Sequence, residues 1–243
     1  MSEKKVFYVT TPIYYASARP HLGSLYSTVI ADVIARWHQL LGRKIYSLTG
    51  TDEHGDKIAD AAKKAGKTPL QFIETFIGGY KKVWYDYHIH YTKFMRTTDA
   101  HHVKGVHSWL RLMLERGYVY KGQYAGFYCK PCETFIAERE LDEQVMVCPS
   151  CKRPVDRVEE ETYFFKLSAF QKPLLDFYKN NPHFILPKER AHEVIQFVES
   201  GLRDLSISRT TVSWGIPFPD DEKHVVYVWV DALLNYITAL GYG

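Results

Sequence analysis

The chain lacks any apolar run of 18 residues, so no segment is long enough to cross a bilayer as a helix. Its opening, Met1-Ser2-Glu3-Lys4-Lys5, leads straight into a β-branched run and lacks the pattern of a secretory or transit leader. These two absences point to the cytoplasm, with an organellar matrix left open. A strong charge of either sign is also missing. The formal net charge of +3 permits a polyanion partner without arguing for one. Cysteine is scarce: all four lie within 23 residues, as two C-x-x-C pairs, which argues against a disulfide framework. Neither a Walker loop nor a G-x-G-x-x-G is present, so the two commonest glycine-rich nucleotide loops are excluded.

What is present begins at Val6. The 243 residues, 46% of them apolar, suit one large domain or one domain carrying an insertion. Val6 to Val9 reads as a buried strand. A loop with Pro12 and Pro20 follows, then His21-Leu22-Gly23-Ser24. Leu25, Val29, Val33, Trp37 and Leu40 recur at helical spacing, and Gly42 suits the residue after the helix. Lys44 to Thr49 reads as a second strand. The expected unit is strand, helix, parallel strand, with ligands beyond the strands' C-terminal ends. A helix start facing that loop offers backbone N–H groups to a phosphate. Gly23 has no Cβ to keep a nucleotide away, and His21 can donate to a phosphate oxygen. The second strand runs into Gly50-Thr51-Asp52-Glu53-His54-Gly55, where Asp52 can accept hydrogen bonds from an α-amino group. The alternative there is a turn and helix cap.

Helices are expected from Lys57 to Ala65 and from Leu70 to Tyr87, the latter capped by Thr68 with Pro69 in its first turn. A further helix is expected from His101 to Arg116. Its His101, His102 and His107 have no acid or cysteine at ligand spacing and read as helix-surface residues. After Gly117 the texture turns to a glycine- and tyrosine-rich β pattern. Cys129, Cys132, Cys148 and Cys151 lie in two tight turns separated by fifteen residues. Two such turns complete a closed tetrahedral site for a structural zinc, and the spacing disfavours redox pairs or free thiols. Glu159-Glu160-Glu161 reads as a solvated edge. Val225 to Val230 reads as a strand, and Asp231 opens a helix.

Several of these stretches resemble one family. The strand, the proline loop and His21-Leu22-Gly23-Ser24 resemble the HIGH signature of class I aminoacyl-tRNA synthetases, with Ser24 where the family has a second histidine. Thr49-Gly-Thr-Asp-Glu-His-Gly55, Ile207-Ser-Arg209, Trp214-Gly-Ile-Pro217 and Tyr227-Val-Trp-Val-Asp-Ala232 resemble methionyl-tRNA synthetases. The zinc knuckle resembles their connective insertion. The resemblance implies an α/β, Rossmann-like parallel sheet interrupted by that insertion. Residues 1–117 and 207–243 would belong to the catalytic domain and 118–206 to the insertion. It implies ATP, with Mg2+, at Thr10, Pro12, His21, Gly23, Ser24 and Arg209, with His21 and Ser24 in catalytic roles. It implies methionine at Ile13, Tyr15, Asp52, Trp229, Ala232, Leu233 and Tyr236, and the methionine tRNA as acceptor. A non-catalytic tRNA- or nucleotide-binding module and a synthetase for another apolar amino acid are the alternatives.

The family's lysine-rich KMSKS signature and its helical anticodon-binding domain have no counterpart in these residues. The chain therefore reads as the N-terminal part of a longer enzyme, whose C-terminal catalytic half and anticodon domain would be its partners. A pure sample of the 243 residues is expected to show little or no aminoacylation, and a normal turnover rate would overturn that expectation.

Overall fold

The computed structural model describes residues 5–129, 132, 134–136 and 146–243. The leaderless reading of the first four residues, and residues 130 and 131 of the first cysteine turn, lie outside the described residues.

The chain begins with β1 (Val6–Thr10), β2 (Tyr14–Tyr15), α1 (Leu22–Leu40) and β3 (Lys44–Asp52). Next come α2 (Asp56–Lys64), α3 (Pro69–Asp86), β4 (Lys93–Arg96) and α4 (Ala100–Glu115). β3 is the common partner in a parallel sheet. β1 pairs with its Lys44–Leu48 portion, β2 with Thr51–Asp52, and β4 with Leu48–Thr51. The expected parallel strand–helix–strand unit is therefore present. Between β1 and β2 the chain leaves the sheet at Pro12, which has no N–H to donate. Thr11 holds that departure: its hydroxyl donates to the Pro12 carbonyl at 2.7 Å and lies 3.0 Å from the Thr49 hydroxyl. Gly50 is required where β3 meets β4, because a Cβ there would lie 2.1 Å from the Met95 carbonyl oxygen.

A second, antiparallel sheet follows. It joins β5 (Val119–Cys129), β6 (Thr134–Ile136), β7 (Asp156–Phe165) and β8 (Leu205–Ser206) in the order β6-β5-β7-β8. Helices α5 (Gln171–Asn180) and α6 (Lys188–Glu199) lie between β7 and β8 in the chain. Then β9 (Ser208–Arg209) pairs with β10 (Val225–Val226), and α7 (Val228–Thr238) ends the ordered elements. The largest core cluster joins α4 to the C-terminal part of the chain: Val106 and Leu110 of α4 pack with Ile207, Ile216, Phe218, Val226 and Leu234. None of the described helices is long and apolar enough to cross a membrane.

Two expectations need correction, and the face that α1 turns inward is not one its spacing showed. The run Val225 to Val230 is not one strand: pairing stops at Val226, Tyr227 caps a helix, and Val228–Val230 form the first turn of α7. Alternating valines and aromatics satisfy a strand pattern locally, but burial of Asp231 one residue later fixes the helix. The apolar stripe of α1 is not its buried face. Trp37 and Leu40 are exposed, while Ser24, Thr28, Asp32 and Ala35 face inward. Short side chains let the helix lie close against the sheet. His102 is not a surface residue but fully buried.

Replacing Gly50 with alanine forces β3 and β4 apart at the segment that carries Asp52. Overpacking of this kind costs about 1–3 kcal/mol, or more where backbone must move. Urea unfolding of Gly50→Ala should show a clearly lower midpoint with an unchanged slope; an unaltered midpoint would contradict the close approach.

Candidate active site

His21 caps α1, and the reason is local. Its Nδ1 accepts the Gly23 N–H at 3.0 Å, while its own N–H donates to the Ser24 hydroxyl at 3.0 Å. The Ser24 hydroxyl in turn donates to the His21 carbonyl at 2.8 Å. This reciprocal pattern is a capping box built with histidine and serine. It has two chemical consequences. Because Nδ1 accepts, the ring proton of neutral His21 resides on Nε2 and leaves an exposed donor at the helix start. Ser24 is 2% exposed and its hydroxyl is committed to the cap, so a phosphate contact through that hydroxyl is not the arrangement seen. Gly23 serves the same device: a Cβ there would lie 2.9 Å from the His21 ring.

The segment after β3 is held from several sides. The Glu53 side chain is fully buried and accepts from Arg96 Nε at 2.7 Å, Arg96 Nη2 at 3.0 Å and the Thr51 hydroxyl at 2.6 Å. The Trp214 indole donates to the Glu53 carbonyl at 2.6 Å, and the Tyr15 hydroxyl to the His54 carbonyl at 2.9 Å. Asp52, between these anchors, is half-buried. Opposite, α7 is tied to the sheet by hydroxyls: Tyr8 donates to the Tyr236 carbonyl at 2.7 Å and Tyr46 to the Ala239 carbonyl at 2.6 Å. Burial first, and then the neighbouring Tyr46 and Tyr236, push the Tyr8 pKa up to about 12, so it stays a donor at neutral pH.

Between these walls lies a cavity of about 320 Å³, within the ordinary range for small-molecule sites. Ile13, Tyr15, Asp52, Trp229, Ala232, Leu233 and Tyr236 all line it, together with Pro12. It opens beyond the C-terminal ends of β1 and β3, where open parallel sheets hold ligands. Its chemistry is divided: an acid at one end, aromatic and aliphatic surface along α7. Thr10, His21, Gly23 and Ser24 do not line it. His21 stands outside, at the start of α1, six residues beyond Tyr15 in the chain.

Arg209, expected near the ATP side of the site, is a buried residue. It is 3% exposed and its guanidinium stacks on Tyr227 at 4.3 Å and faces Tyr128 at 5.7 Å. Nη1 donates to the Ser206 hydroxyl and the Ser208 carbonyl, both at 2.7 Å. Burial lowers its pKa. It lines a separate water-sized cavity with His54 and Trp214, and Val228 belongs to both cavities. Arg209 thus lies one layer behind the α7 wall.

Three lining residues were missed from sequence: Lys57, Cys132 and Val228. Lys57 has Nζ 5.5 Å from the Tyr15 ring centroid. Its position in the first turn after the Asp52 segment is a signal that could have found it. Cys132 belongs at once to the cavity and to the cysteine cluster, which no spacing rule shows.

The four cysteine sulfurs lie within 4.8 Å of one another, with Cys129–Cys151 at 3.5 Å and Cys132–Cys148 at 3.9 Å. A tetrahedral zinc with Zn–S bonds near 2.3 Å needs sulfurs about 3.8 Å apart, so the donor set and spacing fit that ion. The Cys151 backbone N–H, helped by that of Ser150, draws the Cys148 pKa down to about 6, whereas burial pushes Cys129 up to about 12. His101, His102 and His107 are spent on the fold. They meet the Thr238 carbonyl at 2.9 Å, the Asp231 carboxylate at 2.8 Å and the Pro217 carbonyl at 2.8 Å.

The family described as tRNA synthetases class I (M) matches residues 7–158 and 153–243. A methionine–tRNA ligase from Thermotoga maritima is 50% identical over 98% of this chain, and the chain spans about 38% of that relative's length. The Mycobacterium tuberculosis methionyl-tRNA synthetase in complex with methionyl-adenylate overlays with a TM-score of 0.92 at 42% identity, covering 98% of this chain and 47% of that one. The free-state structure of the same enzyme overlays with a TM-score of 0.80 at 39% identity, covering 99% of this chain and 46% of that one. With its parallel sheet, its interrupting antiparallel sheet and its cysteine cluster, the chain belongs to the class I (M) family of tRNA synthetases.

Proposed function

We propose that the chain carries the methionine-activating portion of a methionine–tRNA ligase. The observation that supports this most is the cavity itself, in which an acid faces a wall of Trp229, Ala232, Leu233 and Tyr236. On this reading Asp52 takes the α-ammonium of methionine, and the aromatic wall takes the thioether. Sulfur–aromatic contacts of this kind contribute about 0.3–1.5 kcal/mol each. ATP, accompanied by Mg2+, lies toward the start of α1. There the Nε2–H of His21 and the backbone at Gly23 face its phosphates, and Ser24 contributes by holding His21 in place.

The reaction is an in-line displacement. A carboxylate oxygen of methionine forms a bond to the α-phosphorus, the bond from that phosphorus to the bridging oxygen breaks, and pyrophosphate leaves with the electron pair. No side chain becomes covalently attached, so the chain's contribution is positioning and charge stabilisation. Transfer of the methionyl group to the terminal ribose of the methionine tRNA follows, in the cytoplasm or an organellar matrix. Cys129, Cys132, Cys148 and Cys151 would hold a zinc ion entirely with protein ligands, so the ion would supply structure and brace the cavity through Cys132.

Calorimetry tests the amino-acid reading: the chain should bind methionine and reject leucine and isoleucine, and equal binding of all three would sink it. In the enzyme that carries this chain, His21→Ala should slow pyrophosphate exchange on the order of 10²-fold, as loss of one oriented donor does. Methionine affinity should stay within about twofold, since His21 lies outside the cavity; an unchanged exchange rate would remove His21 from the ATP site.

The metal reading makes a separate prediction. One equivalent of cobalt should give a tetrahedral thiolate spectrum and be displaced by zinc, with protons released because the ligands bind as thiolates. Cys148→Ser should weaken uptake strongly; an octahedral spectrum, or none, would overturn the four-sulfur site.

A further inference from the structure

Asp231 lies two residues after Trp229 and one before Ala232, in the first turn of α7, and its side chain is fully buried. Its Oδ2 is 2.6 Å from Nδ1 of His54, and its Oδ1 is 2.8 Å from Nε2 of His102. His102 extends the chain of bonds, with Nδ1 2.8 Å from the hydroxyl of Thr238 at the far end of α7. An ionised carboxylate only accepts, so both imidazoles donate to it. His54 therefore carries a proton on Nδ1 and His102 on Nε2.

The cost of this arrangement is informative. Burial pushes the Asp231 carboxyl toward its neutral form, yet the two histidine bonds hold its pKa below the usual range. Replacing buried ionic groups by apolar ones of similar size is often neutral or stabilising, so adhesion alone does not call for this network. What the network supplies is direction. Both oxygens of one carboxylate are committed to partners on different elements, which admits one placement of the first turn of α7.

The elements joined are the walls of the cavity. His54 lies two residues after Asp52, in the segment between β3 and α2, and its ring packs against Trp214 with centroids 5.3 Å apart. His102 belongs to α4, whose Gly105 abuts Thr238. Asp231 thus connects the acid end of the cavity to the helix that supplies its apolar side.

We propose that the His54–Asp231–His102 chain fixes the separation between Asp52 and the α7 wall, and so sets the length of amino-acid side chain the cavity accepts. All three are positioning residues, since none of them lines the cavity. The inference rests on the methionine reading above, and the experiment separates the two.

Methionine and ethionine, which is one methylene longer, are titrated by calorimetry into the full chain and its variants. If the wild type binds neither, the methionine reading fails. With the wild type selective for methionine, His102→Leu should reduce the methionine-to-ethionine affinity ratio at least threefold. His102→Gln can donate to Asp231 through its amide and accept from Thr238, and should return the ratio to within about twofold of wild type. Asp231→Asn, of equal size, carries the same expectation as His102→Leu and serves if that variant does not fold. A merely structural role would lower the fraction of competent sites and leave the ratio intact. An unchanged ratio, or failure of both disruptive variants to fold, would overturn the proposal.

Discussion

The buried carboxylate of Glu53 is the constraint on which the site depends. It accepts two bonds from Arg96 and one each from the Thr51 and Thr98 hydroxyls, with no exposure to solvent. A carboxylate in that setting is tolerable only while every partner stays in place, and loss of one partner of a buried pair costs about 3–5 kcal/mol. The chain from Thr51 to Gly55 consequently has one conformation. Asp52 and His54 flank Glu53, the former on the cavity and the latter on Asp231. Arg96 also reaches Glu74 of α3, so the anchor draws on β4 and a helix as well as β3.

From that segment the construction spreads outward by shared residues. Trp214, in the stretch that returns from the second sheet, donates to Glu53, packs on His54 and accepts the Gly55 N–H at 3.0 Å. Cys132 brings the four-sulfur cluster to the cavity edge, and Val228 carries the wall back to the stacked Arg209. The second sheet is therefore a brace of the site. Its strand β5 brings Tyr128 within 5.7 Å of the Arg209 guanidinium, and Tyr227, the cap of α7, lies 4.3 Å from it. An arginine close to two tyrosine rings, with Nη1 bonded to the Ser206 hydroxyl and the Ser208 carbonyl, is a stiff spacer.

Much of this was legible in the sequence, for identifiable reasons. The crossover from β1 through α1 to β3 was readable because a short β-branched run, a helical stripe and a glycine stop are local signals. The seven residues read as a methionine pocket converge on one cavity because their motifs sit at strand ends and a helix start, where the fold itself brings them together. The rest depended on tertiary contacts. His102 reads as surface on its own helix, but Asp231 and Thr238 of α7, 129 and 136 residues away, meet its two ring nitrogens. The valine and tryptophan run at 228–230 satisfies a strand pattern until Asp231 is drawn inward. The apolar stripe of α1 was read correctly as helical, but spacing cannot say which face meets the sheet. The small side chains of Ser24, Thr28 and Ala35 decided that.

Ser24 shows how a departure from a motif can be physically coherent. A capping box needs an acceptor side chain at the third helical position that can take the cap residue's N–H, and the Ser24 hydroxyl supplies it. The same hydroxyl returns its proton to the His21 carbonyl, so the His21 backbone is gripped from both ends. The His21 ring is then steered by the Gly23 N–H, which occupies Nδ1 and directs Nε2 outward. A serine in that position gives up a side chain that could touch phosphate directly. In exchange it fixes the backbone of the histidine that stands exposed at the start of the helix, while the Gly23 N–H sets the ring's tautomer. A donor whose direction is set before the ligand arrives loses little entropy on binding, which is the condition under which one hydrogen bond to a developing charge counts most.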